Sequence, residues 1–234
     1  MWFPNSKIYK MGRSKLDKFR DNELSNYVIQ PAKEIFERIK GNWRKLYFKN
    51  QNKLVLELAC GRGEYTIGMA RQFPNMNFVG VDIKGPRIWR GMRTAEEEKL
   101  INSGFLRGHI QNLEEYFDTD EVNEIWITFP DPRPKGRDER RRLTHPRFLD
   151  IYRNILKPGG KVYLKTDNHD LFEYSIEVLS SLEDINELTY TRDLYNSDLL
   201  SEHYGIQTTY EKRYLEEEVK IKYLKFRFNN HEGA

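Results

Sequence analysis

The chain has 234 residues and a formal net charge of +3; 38% of its residues are hydrophobic, 32% charged and 13% aromatic. That length suits one domain rather than two. The 13 Phe, 14 Tyr and 4 Trp are enough for a core and exclude wholesale disorder, while a lone cysteine, Cys60, excludes a disulfide framework and Cys-rich zinc modules. No apolar run approaches the ~18 residues of a membrane-spanning helix. Met1–Lys10 is too short and polar for a signal peptide, so the cytoplasm is the expected compartment.

The small net charge conceals two clusters. Residues 1–20 carry Lys7, Lys10, Arg13, Lys15, Lys18 and Arg20 against Asp17. Residues 133–147 carry Arg133, Lys135, Arg137, Arg140, Arg141, Arg142 and Arg147 against Asp138 and Glu139. Each stretch sums to +5, which leaves −7 for the rest of the chain. An acidic body with two basic patches is an electrostatic footprint for polyanions. The plainer reading is a solvated basic tail and a charged loop.

Residues 1–30 show neither helical nor strand periodicity and read as a basic, flexible arm; residues 31–234 form one domain. A short helix is expected over Pro31–Lys40, with Ile35, Phe36 and Ile39 on one face. Apolar strand-like runs then alternate with helical patterns. Strands are expected at Lys53–Leu58, Asn77–Asp82, Phe105–Gly108, Glu124–Phe129 and Lys161–Thr166. Helices are expected at Glu64–Phe73, Pro86–Leu100, Asn112–Phe117, Thr144–Leu156 and Asp170–Leu182, with Lys157-Pro158-Gly159-Gly160 as a stop signal. Such alternation means a parallel sheet with helices on both faces. Glu187–Leu194 and Val219–Phe228 read as late strands, the second with a phase slip near Leu224, giving an antiparallel edge.

In a sheet of this kind ligands sit beyond the carboxyl ends of the strands. Gly61 and Gly63 follow the first strand, where they allow a tight turn and close approach to a ligand. The third glycine of a dinucleotide fingerprint is missing, since Tyr65 and Thr66 follow, which disfavours a pyrophosphate and makes a nicotinamide oxidoreductase a distant reading. Glu57 at the strand end suits an amine-bearing cationic ligand; a sulfonium compound with an α-amino group fits. Asp82, ending the second strand, suits the ribose hydroxyls of an adenosine, or caps the next helix. Gln111 or Asn112 can reach an adenine edge, or cap a helix. Cys60 has no activating neighbour and reads as packing. His109, His145, His169, His203 and His231 show no metal-ligand spacing, so no metal is expected.

The fourth strand breaks into Phe129-Pro130-Asp131-Pro132-Arg133-Pro134-Lys135, a stiff loop that holds Asp131 at the mouth of the site beside the second basic patch. One acid among cations suits a polyanionic substrate that carries a base to be modified. Thr144-His145-Pro146 is a plausible helix cap that leaves Arg147 in the first turn. Asp167 ends the fifth strand on the same rim, or caps the helix after it.

Taken together, these residues resemble the tRNA (guanine-N7)-methyltransferase family, from about Lys53 to Phe228. The most specific element is Phe129-Pro130-Asp131-Pro132-x-Pro134-Lys135 followed by Arg140-Arg141-Arg142-Leu143-Thr144-x-x-Arg147-Phe148. The resemblance implies a seven-stranded, mostly parallel, doubly wound α/β sheet with an antiparallel edge strand (Rossmann-like class I), S-adenosylmethionine as cofactor and a guanine of the tRNA variable loop as target. It implies Glu57, Asp82 and Gln111 or Asn112 for the cofactor, Asp131 as catalytic acid, and Lys135, Asp167 and the motif Thr208-Thr209-Tyr210-Glu211 for substrate. Without it, that last motif reads as a helix cap. Arg133, Arg137, Arg140, Arg141, Arg142 and Arg147 are then expected on RNA phosphates, with no membrane or metal partner; a monomer and a homodimer fit equally.

Three positions depart from the family pattern. Ala59 replaces a usual glycine, Gln111 a common carboxylate, and Arg133 a frequent aromatic; Arg133 can still stack or meet phosphate. The family start resembles Met11-Gly12-Arg13-Ser14-Lys15, so the resemblance implies an upstream-start extension as one reading of Met1–Lys10. Two alternatives compete with N7 methylation. One is methylation of an exocyclic amine on another base; the other is a noncatalytic RNA-binding protein that retains the fold.

Overall fold

A computed structural model of the chain describes residues 13–229. In chain order the elements are α1 (Lys15–Leu24), β1 (Val28–Ile29), α2 (Glu34–Arg38), β2 (Lys53–Leu58), α3 (Glu64–Gln72), β3 (Met76–Asp82), α4 (Gly85–Glu98), β4 (Ser103–Arg107), α5 (Leu113–Tyr116), β5 (Val122–Thr128), α6 (Pro146–Ile155), β6 (Leu156–Thr166), α7 (His169–Ser180), β7 (Ile185–Thr191), α8 (Thr209–Glu216) and β8 (Lys222–Phe228). The sheet runs β1-β4-β3-β2-β5-β6-β8-β7. Strands β1 to β6 pair in parallel, and β8 is antiparallel to both β6 and β7. The strand order reverses at β2, between β3 and β5, so the crevice lies at the carboxyl ends of β2, β3 and β5.

Alternate residues of the central strands enter opposite layers, which is why the strands read as continuous apolar runs. Leu54, Leu56, Leu58, Ile125 and Ile127 join a core with α5, α6 and α7; Val55 and Trp126 join one with α3. Ile88, Met92 and Ala95 of α4 pack on Phe105 of β4. The same two-faced burial accounts for the apparent phase slip at Leu224. Ile221 and Tyr223 belong to one layer, Leu224, Phe226 and Phe228 to the other, and the backbone pairing passes through this point in register.

Several expectations are corrected. Within residues 13–30, the arm without regular structure is instead α1 and β1 (the rest of that stretch, residues 1–12, lies outside the described residues). Ser14 and Asp17 form a reciprocal capping box at the start of α1. The Asn22 side-chain amide donates to the Gly85 carbonyl at 2.8 Å, and the Trp89 indole donates to Asp21 at 2.8 Å, docking α1 on α4. The capping box is the local signal for α1, and the tertiary partner supplies the rest of its order, because α1 has little amphipathic pattern of its own. Strand β1 makes the sheet eight-stranded rather than seven-stranded. The two late strands do form the expected antiparallel edge, with β8 one strand in and β7 outermost. Helix α6 ends at Ile155, ahead of the Lys157-Pro158-Gly159-Gly160 stop signal, and those residues form the irregular start of β6, where the register with β5 shifts.

Candidate active site

Glu57, near the end of β2, shares its side of the sheet with Val55, so its carboxylate lies beneath the first turn of α3. Oε2 accepts from the Thr66 amide at 2.8 Å and the Thr66 hydroxyl at 2.5 Å, and Oε1 accepts from the Thr128 hydroxyl at 2.6 Å. The residue is 5% exposed, and burial pushes its carboxyl up to about 7 despite these donors. After β2 the backbone turns through Ala59, Gly61 and Gly63, all at positive φ. At Gly61 an added Cβ would meet nothing nearer than 3.9 Å, so the glycine serves the turn and leaves a bare approach to the backbone. At Gly63 a Cβ would lie 2.4 Å from the Phe105 ring; this glycine lets α3 close on the sheet. Ala59 takes the left-handed conformation that a glycine would adopt freely.

Asp82 ends β3 with its carboxylate bridging two backbone turns. Oδ2 accepts from the Gly61 amide at 3.0 Å, and Oδ1 accepts from the Lys84 amide at 2.8 Å. Asp82 thus joins the Gly61 turn to the start of α4. Beyond it lies a cavity of about 480 Å³ lined by Asp82, Ile83, Gln111, Phe129, Asp131, Arg147 and Tyr210 among others. A second cavity of about 260 Å³ holds Glu57, Gly61, Thr128 and Thr208. Ala59, Arg87, Phe129 and Tyr210 line both, so the two are continuous. The pair Gln111 and Asn112 is separated by the structure. Gln111 lines the larger cavity, where Arg147 Nη2 lies 3.4 Å from its Oε1. Asn112 lines neither cavity and donates to Glu115 at 3.0 Å, which leaves Gln111 as the residue of this pair that faces the site.

Asp131 stands at the mouth of the larger cavity. Its carboxylate accepts from the Arg133 amide at 3.2 Å and lies 3.4 Å from the Arg133 guanidinium. Phe129 and Arg133 both have positive φ, so two bulky residues hold the left-handed region on either side of the acid. This strain could not be foreseen from residue types.

The basic patch divides. Arg137 and Arg140 are exposed, as is Lys135, and Arg141 is paired with Asp138 at 3.3 Å. Arg142 is buried; it donates to the Arg133 carbonyl and stacks over the Tyr174 ring at 4.3 Å. Arg142 is thus corrected from a phosphate contact to a brace for the Asp131 loop. His145 caps α6, accepting from the Arg147 amide at 3.2 Å with Pro146 next, as the sequence indicates.

Asp167 is half-buried beside Tyr214; the cap of α7 is Asn168, which accepts from the Leu171 amide at 2.8 Å. Thr208 caps α8, accepting from the Glu211 amide at 3.1 Å, and Thr209 donates to Glu64. Tyr210 is 58% exposed over both cavities. Glu211 is wholly buried, 2.8 Å from the equally buried Lys165 ammonium, so it does not reach a substrate and is corrected to an internal partner. Lys165, Thr66, Thr128 and Arg87 escaped the sequence reading. Only Lys165 carried a signal, since a lysine in the middle of an apolar strand requires a buried partner. Among the described residues no group of His, Cys, Asp and Glu could hold a metal ion, and no helix is long and apolar enough to cross a membrane.

A buried acid under a glycine turn, an acid at the end of the next strand and a cavity at the switch point form a Rossmann-like site suited to an amine-bearing adenosine compound. The family model described as "Putative methyltransferase" matches residues 51–224. A tRNA (guanine-N(7)-)-methyltransferase of Cytophaga hutchinsonii is 51% identical over 219 residues, covering 93% of this chain and 99% of that protein. Its counterpart in Christiangramia forsetii is 45% identical, covering 92% and 98%. The chain belongs to the tRNA (guanine-N7)-methyltransferase family. The fold is also that of the 16S rRNA methyltransferase KamB, which is 15% identical with a TM-score of 0.58, covering 81% of this chain and 93% of that one. The cofactor fits the residues present. Gly61 leaves backbone open, Glu57 offers a carboxylate, and the half-exposed Ile83 offers an apolar wall beside Asp82.

Proposed function

We propose that this chain transfers the methyl group of S-adenosylmethionine to N7 of a guanine in the variable loop of tRNA, in the cytoplasm. The observation that carries the proposal is one continuous cavity with Glu57 and Asp82 at its floor and Asp131 at its mouth, flanked by exposed cations. When bound, the cofactor supplies an electrophilic methyl on a sulfonium centre. Guanine N7 has an in-plane lone pair and no proton, so no side chain need act as a base. The work of the protein is alignment.

Glu57 accepts three hydrogen bonds and keeps one of its roughly four lone-pair sites for an amine. Asp82 spends one lone pair of each oxygen on backbone and keeps the others for ribose hydroxyls. Gln111, steadied by Arg147, faces the adenine edge. Asp131 takes the N1–H or exocyclic amine of the guanine and offsets the positive charge that develops on the purine. Lys135, Arg137, Arg140 and Asp167 on the rim meet the RNA, and Tyr210 lies over the path of the base.

The test is incubation with labelled S-adenosylmethionine and bulk tRNA, followed by nucleoside analysis. N7-methylguanosine is expected. A different methylated base would move the chemistry to an exocyclic amine, and an absence of label would make the chain a binding protein.

The raised pKa of Glu57 has a definite pH consequence. Below about 7 the free protein keeps the Glu57 proton, whereas a cationic amine favours the carboxylate, so cofactor binding expels that proton. Cofactor affinity is expected to weaken as pH falls below about 7, by up to roughly ten-fold per pH unit. Glu57→Gln is expected to remove the dependence. Calorimetry in buffers of different ionisation enthalpy measures the proton release directly, and a flat affinity between about pH 5.5 and 8 would take Glu57 out of the contact.

A further inference from the structure

A third cavity, an open groove of about 490 Å³, runs between α3, α4 and the start of α8. It shares Arg62, Glu64 and Thr209 with the smaller of the two site cavities, so it continues the site on the side away from the 133–147 segment. Its charges are unbalanced. The Glu64 carboxylate is taken up by the Thr209 amide and hydroxyl, and Arg71 is paired with Glu98. Arg62, Arg90 and Lys212 are exposed, and among the described residues none of the three has a carboxylate partner. These cations lie far apart in sequence and outside both basic clusters; packing of α3, α4 and α8 brings them to one groove.

We propose that this groove binds a second stretch of the sugar–phosphate backbone of the tRNA, away from the target guanine, so that the RNA is held on both sides of the active site. The proposal rests on tRNA being the substrate. Unpaired cations along an open groove that leads from the reaction cavity are complementary to a phosphodiester chain and supply the sequence-independent part of its affinity. Holding the RNA at two separated points also fixes its orientation, which a single patch beside Asp131 does not.

Arg90 and Lys212 line neither site cavity, so their replacement isolates the groove. In the full chain, Arg90→Gln/Lys212→Gln is expected to weaken binding of an unmodified tRNA transcript by about ten-fold at low salt and to lower the slope of log affinity against log salt by about 1 for each cation. Cofactor affinity should stay unchanged, which shows that the variant is folded. The comparison is Lys99→Gln/Lys157→Gln, two exposed lysines near the opposite ends of the strands, which should keep the wild-type slope. An unchanged slope in the groove variant, or an equal loss in both variants, overturns the groove while wild-type methylation of tRNA leaves the main reading intact. Failure of the wild type to bind and methylate tRNA overturns both.

Discussion

Replacing Lys165 by methionine is expected to cost about 3–5 kcal/mol of folding stability, as breaking one side of a buried ion pair does. The Lys165 ammonium and the Glu211 carboxylate are both inaccessible to solvent and 2.8 Å apart. The tyrosine hydroxyl of Tyr195 donates to Glu211 at 3.0 Å, and the ammonium lies over the ring of Tyr65 at 5.3 Å. Burial pulls the lysine pKa down, and the carboxylate beside it opposes that pull. Removing the ammonium strands Glu211 with one neutral donor. The pair also ties β6 to the first turn of α8, which carries Tyr210 over the site, while the Lys165 carbonyl accepts from the Phe129 amide at 2.8 Å. Lys165→Met/Glu211→Met should regain most of the loss, because an apolar pair of similar volume leaves no buried charge. Denaturant unfolding of the single and double variants measures both terms. A loss below about 1 kcal/mol in the single variant, in the range of a surface ion pair, would show that the pair does not secure this helix.

Asp131→Ala is expected to lower turnover at saturating tRNA by about 10²–10³-fold, the scale of losing one preorganised electrostatic contact to a developing charge. The exposed carboxylate is held by contacts within its own loop. Pro130, Pro132 and Pro134 stiffen the loop, Arg133 holds the acid through both its amide and its guanidinium, and Arg142 braces Arg133 from below. Methyl transfer to N7 leaves the purine cationic, so on the proposed reading an acid in contact with the base would interact more strongly with the product-like transition state than with neutral guanine. Asp131→Asn keeps the shape and a hydrogen-bond acceptor without the charge, and its rate should fall between the two. Single-turnover kinetics at saturating cofactor and tRNA separate this from weakened binding. Near-normal turnover in Asp131→Ala would remove the acid from the chemistry.

The two basic clusters show how far charge can be read before folding. The 133–147 segment does flank the reaction cavity, yet Arg142 is buried and Arg133 and Arg141 are paired with acids within three residues. Counting charge overstates what remains for RNA. In residues 13–20, part of the first cluster forms α1 and docks on α4. The losses in the 133–147 segment follow from local partners that a charge sum counts but does not place, whereas Lys15 and Arg20 of α1 stay exposed.

By itself the sequence determined the strand–helix alternation, the turn at Gly61 and Gly63, the acids Glu57 and Asp82 at strand ends and the stiff loop around Asp131. Each of these depends on residues within one strand, turn or helix start, where periodicity and backbone preference act directly. Tertiary structure alone decided the placement of β8 between β6 and β7, the docking of α1 on α4, the pairing of Lys165 with Glu211, and the meeting of Arg62, Arg90 and Lys212 in one groove. These depend on partners brought from distant parts of the chain. A local pattern can mark a charge for burial, as the apolar strand around Lys165 does, but which opposite charge it meets is decided by packing.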